Sequence, residues 1–417
     1  MSNKEKAALM PKLRFPEFEQ SWEEIPLGEL GQFFRGLTYG ADDVASEGLL
    51  VLRSSNIQGG QLVLDSDLVF VTKRCPPEMC LKRGDIAICM SNGSKALVGK
   101  SGEFHNDYPG ELTVGAFCSI FRPKKPFAKI AFSTPRYENF VATGIAGGNI
   151  NNLKNSDLES FVFHVPPTNE EQQKIADCLS SLDELIAAQA RKVDALKTHK
   201  KGLMQQLFPR EGETQPRLRF PEFRDAGAWS KRKLSNFLTE RSQFPENKVP
   251  LYSLTIEDGV TPKTERYERA FLVNDEAEAY KLVLPNDFAF NPMNLRFGAI
   301  GRHSGTEAVA VSKYYNIFYC DNSVDSRFCD IYFRSDAMVR FYDTMAIGSL
   351  IEKRRVHFSD FLKFNIRFPS SLEQQRIADC IASLDTLITA TIQELEALKI
   401  HKKGLMQQLF PQGETLS

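Results

Sequence analysis

The chain has 417 residues, of which 42% are hydrophobic and 11% aromatic, so it is long enough for two or three domains with packed cores. Its 52 Lys and Arg residues almost balance its 53 Asp and Glu residues, so net charge alone gives no support for binding to nucleic acid. The apolar runs are too short for a membrane-spanning helix or a signal peptide, and the eight cysteines form no Cys-x-x-Cys pair. We therefore expect a cytoplasmic protein with free thiols, no metal site and no contact with a membrane.

The chain begins with a predicted α+β domain over residues 1–167. Its first motif is Leu13-Arg-Phe-Pro-Glu-Phe18, which is followed by Trp22. The stretch 127–143 can include a helix. Short apolar runs separated by Gly, Pro and Asn predict strands at 49–52, 62–71, 86–90 and 116–121.

A long helix is predicted in the next segment, residues 168–215. Thr168-x-x-Glu171 has the sequence of a capping box, which satisfies free backbone amides at a helix start, and Pro209 marks the helix end. Apolar residues recur at alternating spacings of four and three from Ile175 to Leu207, which is typical of a coiled-coil seam. A helix of about 39 residues would be roughly 58 Å long.

Two polar residues, Gln189 and Lys200, interrupt this seam. Polar seam residues cost stability, but they can fix the register of two paired helices. The alternative for Lys200 is that its side chain merely extends to water from a fraying helix end.

The second half of the chain repeats this organisation. A second variable domain, residues 216–369, opens with Leu218-Arg-Phe-Pro-Glu-Phe223 and Trp229. A second helical segment, residues 370–417, begins with the capping box Ser370-x-x-Glu373.

Sequence identity between the halves is concentrated in the helical segments. His199 to Pro209 recurs without change as His401 to Pro411, and 171–186 matches 373–388 at 12 of 16 positions. The variable domains keep register but share few residues. Two domains of one fold with different surfaces suggest two different ligands of one chemical class.

The predicted fold is α+β, with two similar globular domains joined by two long helices. The second seam runs from Ile377 to Leu409 and is interrupted at Thr391 and Lys402, the equivalents of Gln189 and Lys200. Two seams in one chain most simply pair with each other. The pseudo-twofold that relates the halves would make this coiled coil antiparallel.

Catalytic motifs are incomplete throughout the sequence. Gly99-Lys-Ser101 resembles the end of a phosphate-binding loop, but Ser94 stands where that loop needs its first Gly. Asn291-Pro-Met-Asn294 lacks the second Pro and the aromatic residue of an adenine-methyltransferase motif. We therefore expect no catalytic residues and no cofactor bound by this chain.

The pattern of motifs resembles the specificity subunit of type I restriction-modification systems. Typical of that family are Pro-Pro-x-x-Glu-Glu-Gln-Gln-x-Ile-Ala at 166–176, repeated in part from Pro369, and Leu-Met-Gln-Gln-Leu-Phe-Pro at 203–209 and 405–411. Joining the C-terminal GLMQQLFPQGET to the N-terminal PKLRFPEF would recreate the central junction, which matches the circular pseudo-symmetry of the family.

The resemblance implies a function and a set of partners. Each variable domain would read one half of a split, asymmetric target in double-stranded DNA, and the helices would set the unread spacer. The helical segments would bind two modification methyltransferase subunits, which carry S-adenosylmethionine. Restriction-translocase subunits would complete the nuclease.

Polar loops in the variable domains are the candidate DNA contacts, because Arg reads guanine, Asn or Gln reads adenine, and Lys, Arg, Ser or Asn can hold phosphates. In the first domain the candidates are Arg53, Ser54, Asn56, Asn92, Ser94, Lys95, Asn149, Asn151, Asn152 and Lys154. In the second domain they are Asn294, Arg296, Arg302, Lys353, Arg354 and Arg355.

Two alternatives remain open from the sequence. The loops could be ordinary solvated loops. The protein could also be a coiled-coil adaptor whose variable domains bind proteins. A stand-alone nuclease or methyltransferase is disfavoured by the missing motifs. The Asn-rich loop that ends the first domain and the Arg-rich loop that ends the second fit two unlike half-sites.

Overall fold

The computed structural model of the protein describes residues 9–105, 108–146, 152–210, 212–263, 279–348 and 354–411. The chain folds as two compact units: unit 1 comprises Met1–Gln189 with Glu394–Ser417, and unit 2 comprises Ala190–Gln393. Each unit therefore contains one variable domain and parts of both helical segments. Among the described helices, none is long and apolar enough to cross a membrane.

Unit 1 combines three sheets with short helices. A six-stranded sheet has the order β2-β11-β8-β9-β6-β5, a four-stranded sheet has the order β10-β4-β7-β3, and β1 pairs with β12. The strands are β1 Glu23–Pro26, β2 Gly31–Arg35, β3 Val44–Ala45, β4 Leu49–Leu52, β5 Ile57–Gln58, β6 Gln61–Leu62, β7 Val69–Val71, β8 Ile86–Cys89, β9 Ser101–Glu103, β10 Leu112–Val114, β11 Cys118–Pro123 and β12 Val162–Val165. The short helices are α1 Leu27–Leu30, α2 Pro135–Ala146 and α3 Asn155–Glu159. The long helix α4, Asn169–Leu207, begins in unit 1 and ends in unit 2.

Two of the strand predictions for unit 1 need correction. The stretch 62–71 is not one strand, because β6 and β7 belong to different sheets and the chain turns between them at Asp67, whose φ is 54°. The stretch 116–121 becomes a strand only from Cys118, since the amide of Cys118 donates to the carbonyl of Gly115 (2.8 Å) and closes a turn.

Unit 2 is also a mixture of small sheets and helices. Its largest sheet has the order β14-β21-β18-β19, and three pairs are formed by β13 with β22, β15 with β16 and β17 with β20. The strands are β13 Ser230–Lys233, β14 Leu238–Arg241, β15 Tyr252–Thr255, β16 Gly259–Pro262, β17 Tyr280–Val283, β18 Phe288–Phe290, β19 Ile300–Arg302, β20 Val309–Ser312, β21 Asn316–Cys320 and β22 Asn365–Phe368. The short helices are α5 Ser326–Phe333, α6 Asp336–Met345 and α7 Phe358–Phe361. The long helix α8, Ser371–Leu409, begins in unit 2 and ends in unit 1.

The two long helices have the predicted length and the predicted antiparallel pairing. Both contain 39 residues. In unit 1, Lys402 of α8 bonds to Asp183 of α4, and Gln189 Nε2 donates to Glu394 Oε2 at 2.6 Å. Partner numbers thus rise along one helix as they fall along the other. This confirms the α+β fold with paired long helices.

The seam lysines pair across the helices instead of extending to water from a frayed end. In unit 2, Lys200 of α4 bonds to Asp385 of α8, as Lys402 bonds to Asp183 in unit 1. The aspartates are about half exposed, so each ion pair contributes little energy, on the order of 0–1 kcal/mol. Their main effect is to favour one register of the two helices.

A buried ion pair ties the start of each long helix to the Leu-Arg-Phe-Pro-Glu-Phe motif before it. In unit 1, Arg14 donates two hydrogen bonds to Glu171 (2.7 and 2.8 Å), and Trp22 Nε1 donates a third (3.1 Å). Thr168 Oγ1 accepts the amide of Glu171 at 3.3 Å, which is one half of the predicted capping box. Because its carboxylate faces Arg14 and Trp22, Glu171 serves a tertiary contact instead of the second half of the box.

The corresponding cluster in unit 2 has the same members at the repeated positions. Arg219 donates to both carboxylate oxygens of Glu373 at 2.7 Å, and Trp229 Nε1 donates to the same group at 3.3 Å. Ser370 Oγ accepts the amide of Glu373 at 3.3 Å. The repeated sequence motifs therefore build one repeated contact.

The last residues of each helical segment enter a domain core. In unit 1, the ring of Phe410 stacks on Phe163 at 5.7 Å and meets the edge of Trp22 at 5.6 Å. In unit 2, the ring of Phe208 stacks on Tyr332 at 5.1 Å. The C-terminal helical segment thus completes the core of unit 1, which is the circular arrangement that the sequence motifs indicate.

Candidate nucleic-acid interface

Three polar loops of unit 1 meet at one end of the six-stranded sheet. Asn92 follows β8 and donates from Nδ2 to Ser54 Oγ at 3.0 Å. Ser91 forms a β-bridge with Asn152, and the amide of Leu153 donates to the carbonyl of Met90 at 2.8 Å. Residues from all three predicted clusters of the first domain therefore lie side by side.

Four of the predicted side chains on this surface face solvent, and Asn92 does so only in part. Ser94, Lys95, Asn152 and Lys154 are exposed. Asn92 is half-buried, and its Oδ1 accepts the amide of Ser94 at 3.0 Å, which shapes the loop. Asn149 and Asn151 lie outside the described residues.

Asn56 is placed differently from the prediction. Its side chain is only 1% exposed, Oδ1 accepts the amide of Arg53 at 2.9 Å, and Nδ2 donates to the carbonyl of Ser66 at 3.0 Å. A buried amide whose hydrogen bonds go to backbone is not available to a base, so Asn56 holds the loop in shape. Arg53, in the same loop, bonds to Asp67 and is partly exposed.

Two polar loops of unit 2 meet in the same way. Asn294 follows β18 and is exposed. The amide of Val356 donates to the carbonyl of Pro292 at 3.1 Å, which brings the loop that carries Arg355 against the loop that carries Asn294. Arg355 is exposed and forms a two-way backbone pair with Ile347 (2.9 and 3.0 Å). Lys353 lies outside the described residues.

Asp343 of α6 contacts two of the predicted arginines. Arg296 Nε lies 3.3 Å and Arg354 Nη1 lies 3.7 Å from Asp343 Oδ1. Arg296 is mostly buried, with its guanidinium 4.6 Å from the ring centre of Phe297. Two arginines on one exposed carboxylate leave excess positive charge at this surface.

Arg302 is not part of this group. It lies at the far end of β19 from Ile300, where Nη1 donates to Asn286 Oδ1 at 2.6 Å. Its amide donates to Asp330 Oδ1 at 2.9 Å, and burial raises the pKa of Asp330. The structure therefore separates Arg302 from the four described candidates Asn294, Arg296, Arg354 and Arg355.

One backbone hydrogen bond occurs at matched positions of the two surfaces. The hydrogen bond from Leu153 to Met90 in unit 1 has the same place as the bond from Val356 to Pro292 in unit 2. It follows that Asn92 matches Asn294 and that Asn152 matches Arg355. The matched position thus carries an amide in unit 1 and a guanidinium in unit 2, although Asn152 bridges to Ser91 and Arg355 bridges to Ile347.

A basic cleft in unit 2 was not predicted from the sequence. It has a volume of about 560 Å³ and lies between the end of α4 and the start of α6. Lys200 and Arg334 are bonded to Asp385 and to the carbonyl of Glu257 respectively. Six cationic side chains line the cleft: Lys197, Lys200, Lys201, Arg210, Arg334 and Arg340.

The basic cleft continues along α6 to the arginine pair. Arg340 lines the cleft and stands three residues before Asp343, which contacts Arg296 and Arg354. Lys197, Lys201, Arg210 and Arg340 are exposed. The lysines lie in the repeated helical segment, so the sequence shows them, but only the fold brings them together with Arg334 and Arg340, which are distant in the chain.

Residues 87–198 match a protein family described as the type I restriction modification DNA specificity domain. This stretch includes the loops of Asn92 and Asn152 and most of α4. Among the described residues, no three His, Cys, Asp or Glu side chains are grouped so that they could hold a metal ion.

The chain is also similar to individual proteins that are described as specificity subunits of type I restriction enzymes. The type I restriction enzyme EcoKI specificity subunit of Escherichia coli K12 is 34% identical over 172 residues, which is 39% of this chain and 36% of that subunit, so the match spans about a third of that relative. The MjaVIII specificity subunit of Methanocaldococcus jannaschii is 22% identical over 96% of this chain and 94% of its own length. The S subunit of a type I system from M. genitalium shares the fold, with a TM-score of 0.52 at 14% identity over 97% of this chain and 100% of that chain.

Proposed function

Because the chain belongs to the family of type I restriction-modification specificity subunits, we propose that it recognises a split, asymmetric sequence in double-stranded DNA. Each variable domain reads one half of the target. The observation that carries the proposal is that, in each unit, polar loops distant in sequence meet at one end of a sheet. Base readout needs such convergence, because several hydrogen-bonding side chains must reach one stretch of groove together.

The two half-sites differ because the two surfaces differ at matched positions. Asn152 presents a carboxamide, which suits the N6 and N7 atoms of adenine, whereas Arg355 presents a guanidinium, which suits the O6 and N7 atoms of guanine. The same exposed position therefore favours an A·T pair in the half-site of unit 1 and a G·C pair in the half-site of unit 2.

In unit 2 the side chains of the basic cleft contact the DNA phosphates. Its exposed cations Lys197, Lys201, Arg210 and Arg340 carry no information about sequence, but they suit the charge of the DNA backbone. Arg340 of the cleft lies on α6 three residues before Asp343, a rise of roughly 4.5 Å along the helix axis, and Asp343 contacts Arg354.

The paired long helices set the spacer between the half-sites. A helix of 39 residues is roughly 58 Å long, and one turn of DNA is about 34–36 Å. In this proposal the length of the paired helices determines the length of the unread spacer. Register matters for this role, and the ion pairs of Lys200 and Lys402 favour one register.

Catalysis belongs to partner subunits in this proposal. The helical segments recruit two modification methyltransferase subunits, which bind S-adenosylmethionine and methylate adenine, and restriction-translocase subunits complete the nuclease. The exposed polar faces of α4 and α8 are the surfaces available for that assembly. This chain supplies recognition and binds no cofactor itself.

The test is methylation sequencing of genomic DNA from cells that express the chain with its modification subunit. Cells that express the modification subunit alone are the control. We expect one split, asymmetric, adenine-methylated motif that depends on the chain. A soluble assembled complex that produces no new motif would contradict the proposal and favour a protein-binding adaptor.

Exchange of the variable domains provides a second test with the same readout. A chimera in which residues 216–369 are replaced by 1–167 should methylate a target whose two halves are both the unit 1 half-site. A chimera that kept the parental target would contradict the assignment of one half-site to each domain.

A further inference from the structure

Two aromatic side chains at the turns before β11 and β21 are strongly exposed. Phe117 in unit 1 is 70% exposed and Tyr314 in unit 2 is 78% exposed. Among the described residues, these are the two most exposed aromatic side chains. A single exposed apolar residue is common on protein surfaces, so the argument depends on how these two are related.

Phe117 and Tyr314 occupy the same position in the two units. Phe117 stands four residues before Phe121, which pairs with Ile86 of β8, and Tyr314 stands four residues before Phe318, which pairs with Phe288 of β18. The variable domains share few residues at other matched positions, yet both place an aromatic ring here.

The backbone of both turns is held in the same way. In unit 1 the amide of Cys118 donates to the carbonyl of Gly115 at 2.8 Å, and in unit 2 the amide of Tyr315 donates to the carbonyl of Ser312 at 3.1 Å. The aromatic residue is the third of four residues in each turn. The backbone of the aromatic residue is therefore fixed, while its ring lies in solvent.

The turn in unit 1 is joined directly to the candidate nucleic-acid interface. The amides of Met90 and Ser91 both donate to the carbonyl of Phe117, at 2.8 and 3.2 Å. Ser91 precedes Asn92 and forms the bridge with Asn152. Phe117 thus stands beside the loops that carry Asn92 and Asn152.

The turn in unit 2 lies at the corresponding end of its sheet. Phe290, the last residue of β18, pairs with Asn316, the first residue of β21. The loop that leads to Asn294 and the turn that carries Tyr314 therefore leave the sheet at one end. Each unit combines polar loops with one exposed ring at this end.

This arrangement fits a base contact better than a phosphate contact. A ring carries no positive charge for phosphate, but it can pack on a thymine methyl group in the major groove or against a base step in the minor groove. An aromatic side chain has two rotatable bonds, so little conformational entropy is lost when it is ordered.

We propose that Phe117 and Tyr314 each place an aromatic ring against base pairs of one half of the DNA target. The inference depends on the proposed function, since it assigns base-contacting residues to the same interface. It goes further in assigning apolar readout to a turn that the polar loops do not include.

The experiment uses the full chain assembled with its modification subunits and a duplex that carries the methylated motif found by sequencing. The variants are Phe117→Ala and Tyr314→Ala, with Phe117→Tyr as the conservative change. Equilibrium binding is measured on the target and on duplexes with each base pair of each half-site substituted in turn, at several salt concentrations.

We expect each alanine variant to bind the target about tenfold more weakly. Phe117→Ala should lose discrimination at one or two base pairs in one half-site and Tyr314→Ala in the other, so each variant is the control for the other. Phe117→Tyr should retain discrimination. The salt dependence should not change, because no phosphate contact is removed, and the melting temperature should not change, because the rings are exposed.

Three results would overturn the inference. Wild-type discrimination in both alanine variants would show that the rings do not touch bases. Equal weakening for all sequences with a smaller salt slope would indicate a phosphate contact. A wild-type complex that lacks a split target would remove the proposed function, whereas the first two results would leave it standing.

Discussion

Lys402 and Asp183 form an ion pair between the two long helices in unit 1, although they are 219 residues apart in the chain. Asp385 and Lys200 form the matching pair in unit 2. Each lysine occupies a seam position where a coiled coil would normally place an apolar residue. Each helical segment therefore supplies one lysine and one aspartate to these two ion pairs. The two equivalent contacts favour antiparallel pairing of the helices.

Reversing one charge of this pair should lower the stability of the helix pair, and reversing the second charge should restore most of it. Lys402→Glu places two carboxylates together, and we expect a lower melting temperature for the full chain. Adding Asp183→Lys should restore most of the loss, with a coupling energy of about 0.5 kcal/mol, because both side chains are partly exposed. The measurement is a double-mutant cycle by thermal unfolding.

Lys399 provides the matched control for this cycle. It lies on the same helix but pairs with Glu396 one turn before it. Asp183→Lys should therefore fail to rescue Lys399→Glu. Equal rescue of both reversals would indicate a general effect of net charge instead of a specific contact.

Removal of Arg14 should be far more costly than removal of an exposed cation. Glu171 is 1% exposed, and Arg14→Ala would leave its carboxylate buried with only the indole of Trp22 as donor. We expect a loss of about 3–5 kcal/mol in the free energy of unfolding of unit 1. Denaturant unfolding of the full chain, followed by the fluorescence of Trp22 and Trp229 in single-tryptophan variants, separates the two units.

The control for Arg14 is Lys174, which pairs with Glu17 in the same unit but on the surface. Lys174→Ala should cost less than about 1 kcal/mol. If Arg14→Ala cost no more than Lys174→Ala, the buried cluster would not contribute to the joining of the motif and the helix.

Features set by local sequence were predicted well, and features that depend on distant contacts were not. The limits of α4 and α8 follow from capping residues, seam spacing and proline, all of which act within one turn of helix. The bond between Arg14 and Glu171 joins residues 157 positions apart. No local pattern reports such a contact, although the repetition of both motifs in the second half is consistent with it.

In the candidate interface, too, residue type was predicted from the sequence but the effect of distant contacts was not. Asn92 and Asn152 were selected because amides in loops can read bases, and the fold brings them together through the bridge at Ser91. Asn56 was selected on the same grounds, but neighbouring backbone groups bury it and take its hydrogen bonds. Residue type indicates what a side chain can do, whereas burial by the rest of the domain decides whether it can do so.

The folding stability of unit 1 should fall in mild acid. His164 is buried, and its Nδ1–H donates to the carbonyl of Pro411 at 3.2 Å. Burial, followed by the nearby Arg136, lowers the pKa of His164 below its usual value of about 6.5. The unfolded chain therefore takes up a proton first, so this contribution to stability is present above pH 6.5 and is lost as the pH falls towards the lowered pKa.

The measurement is the melting temperature of the full chain between pH 7.5 and pH 5.5. His164→Gln should flatten the dependence in this range, because glutamine cannot take up a proton. His199, which is exposed on α4, is the control, and His199→Gln should leave the wild-type slope unchanged. An unchanged slope in His164→Gln would assign the dependence to other groups.

Neutral substitutions in the basic cleft should change the salt dependence of binding without changing specificity. Each phosphate contact releases bound cations from DNA, and its loss lowers the slope of log affinity against log salt by about one. We expect this from Lys201→Ala and from Arg340→Ala in the assembled complex. Lys363→Ala, which removes a cation paired with Asp360 elsewhere in unit 2, should leave the slope unchanged.

Exchange of the matched residues Asn152 and Arg355 should alter one half-site at a time. Both side chains are exposed, and both belong to loops that are fixed by equivalent backbone hydrogen bonds, so substitution should leave the fold intact. Arg355→Ala should cost about 1–3 kcal/mol at one base pair in the half-site of unit 2 and relax the preference there. Asn152→Ala should do the same in the half-site of unit 1.

The reciprocal changes give the sharper result. Arg355→Asn should move the preference at its base pair from G·C towards A·T, and Asn152→Arg should move the preference in the other half-site from A·T towards G·C. Methylation sequencing of each variant reports both half-sites in one experiment, so the unchanged half-site is an internal control. A variant that altered both half-sites, or that lost methylation at every sequence, would show that these residues position the whole complex and do not read individual bases.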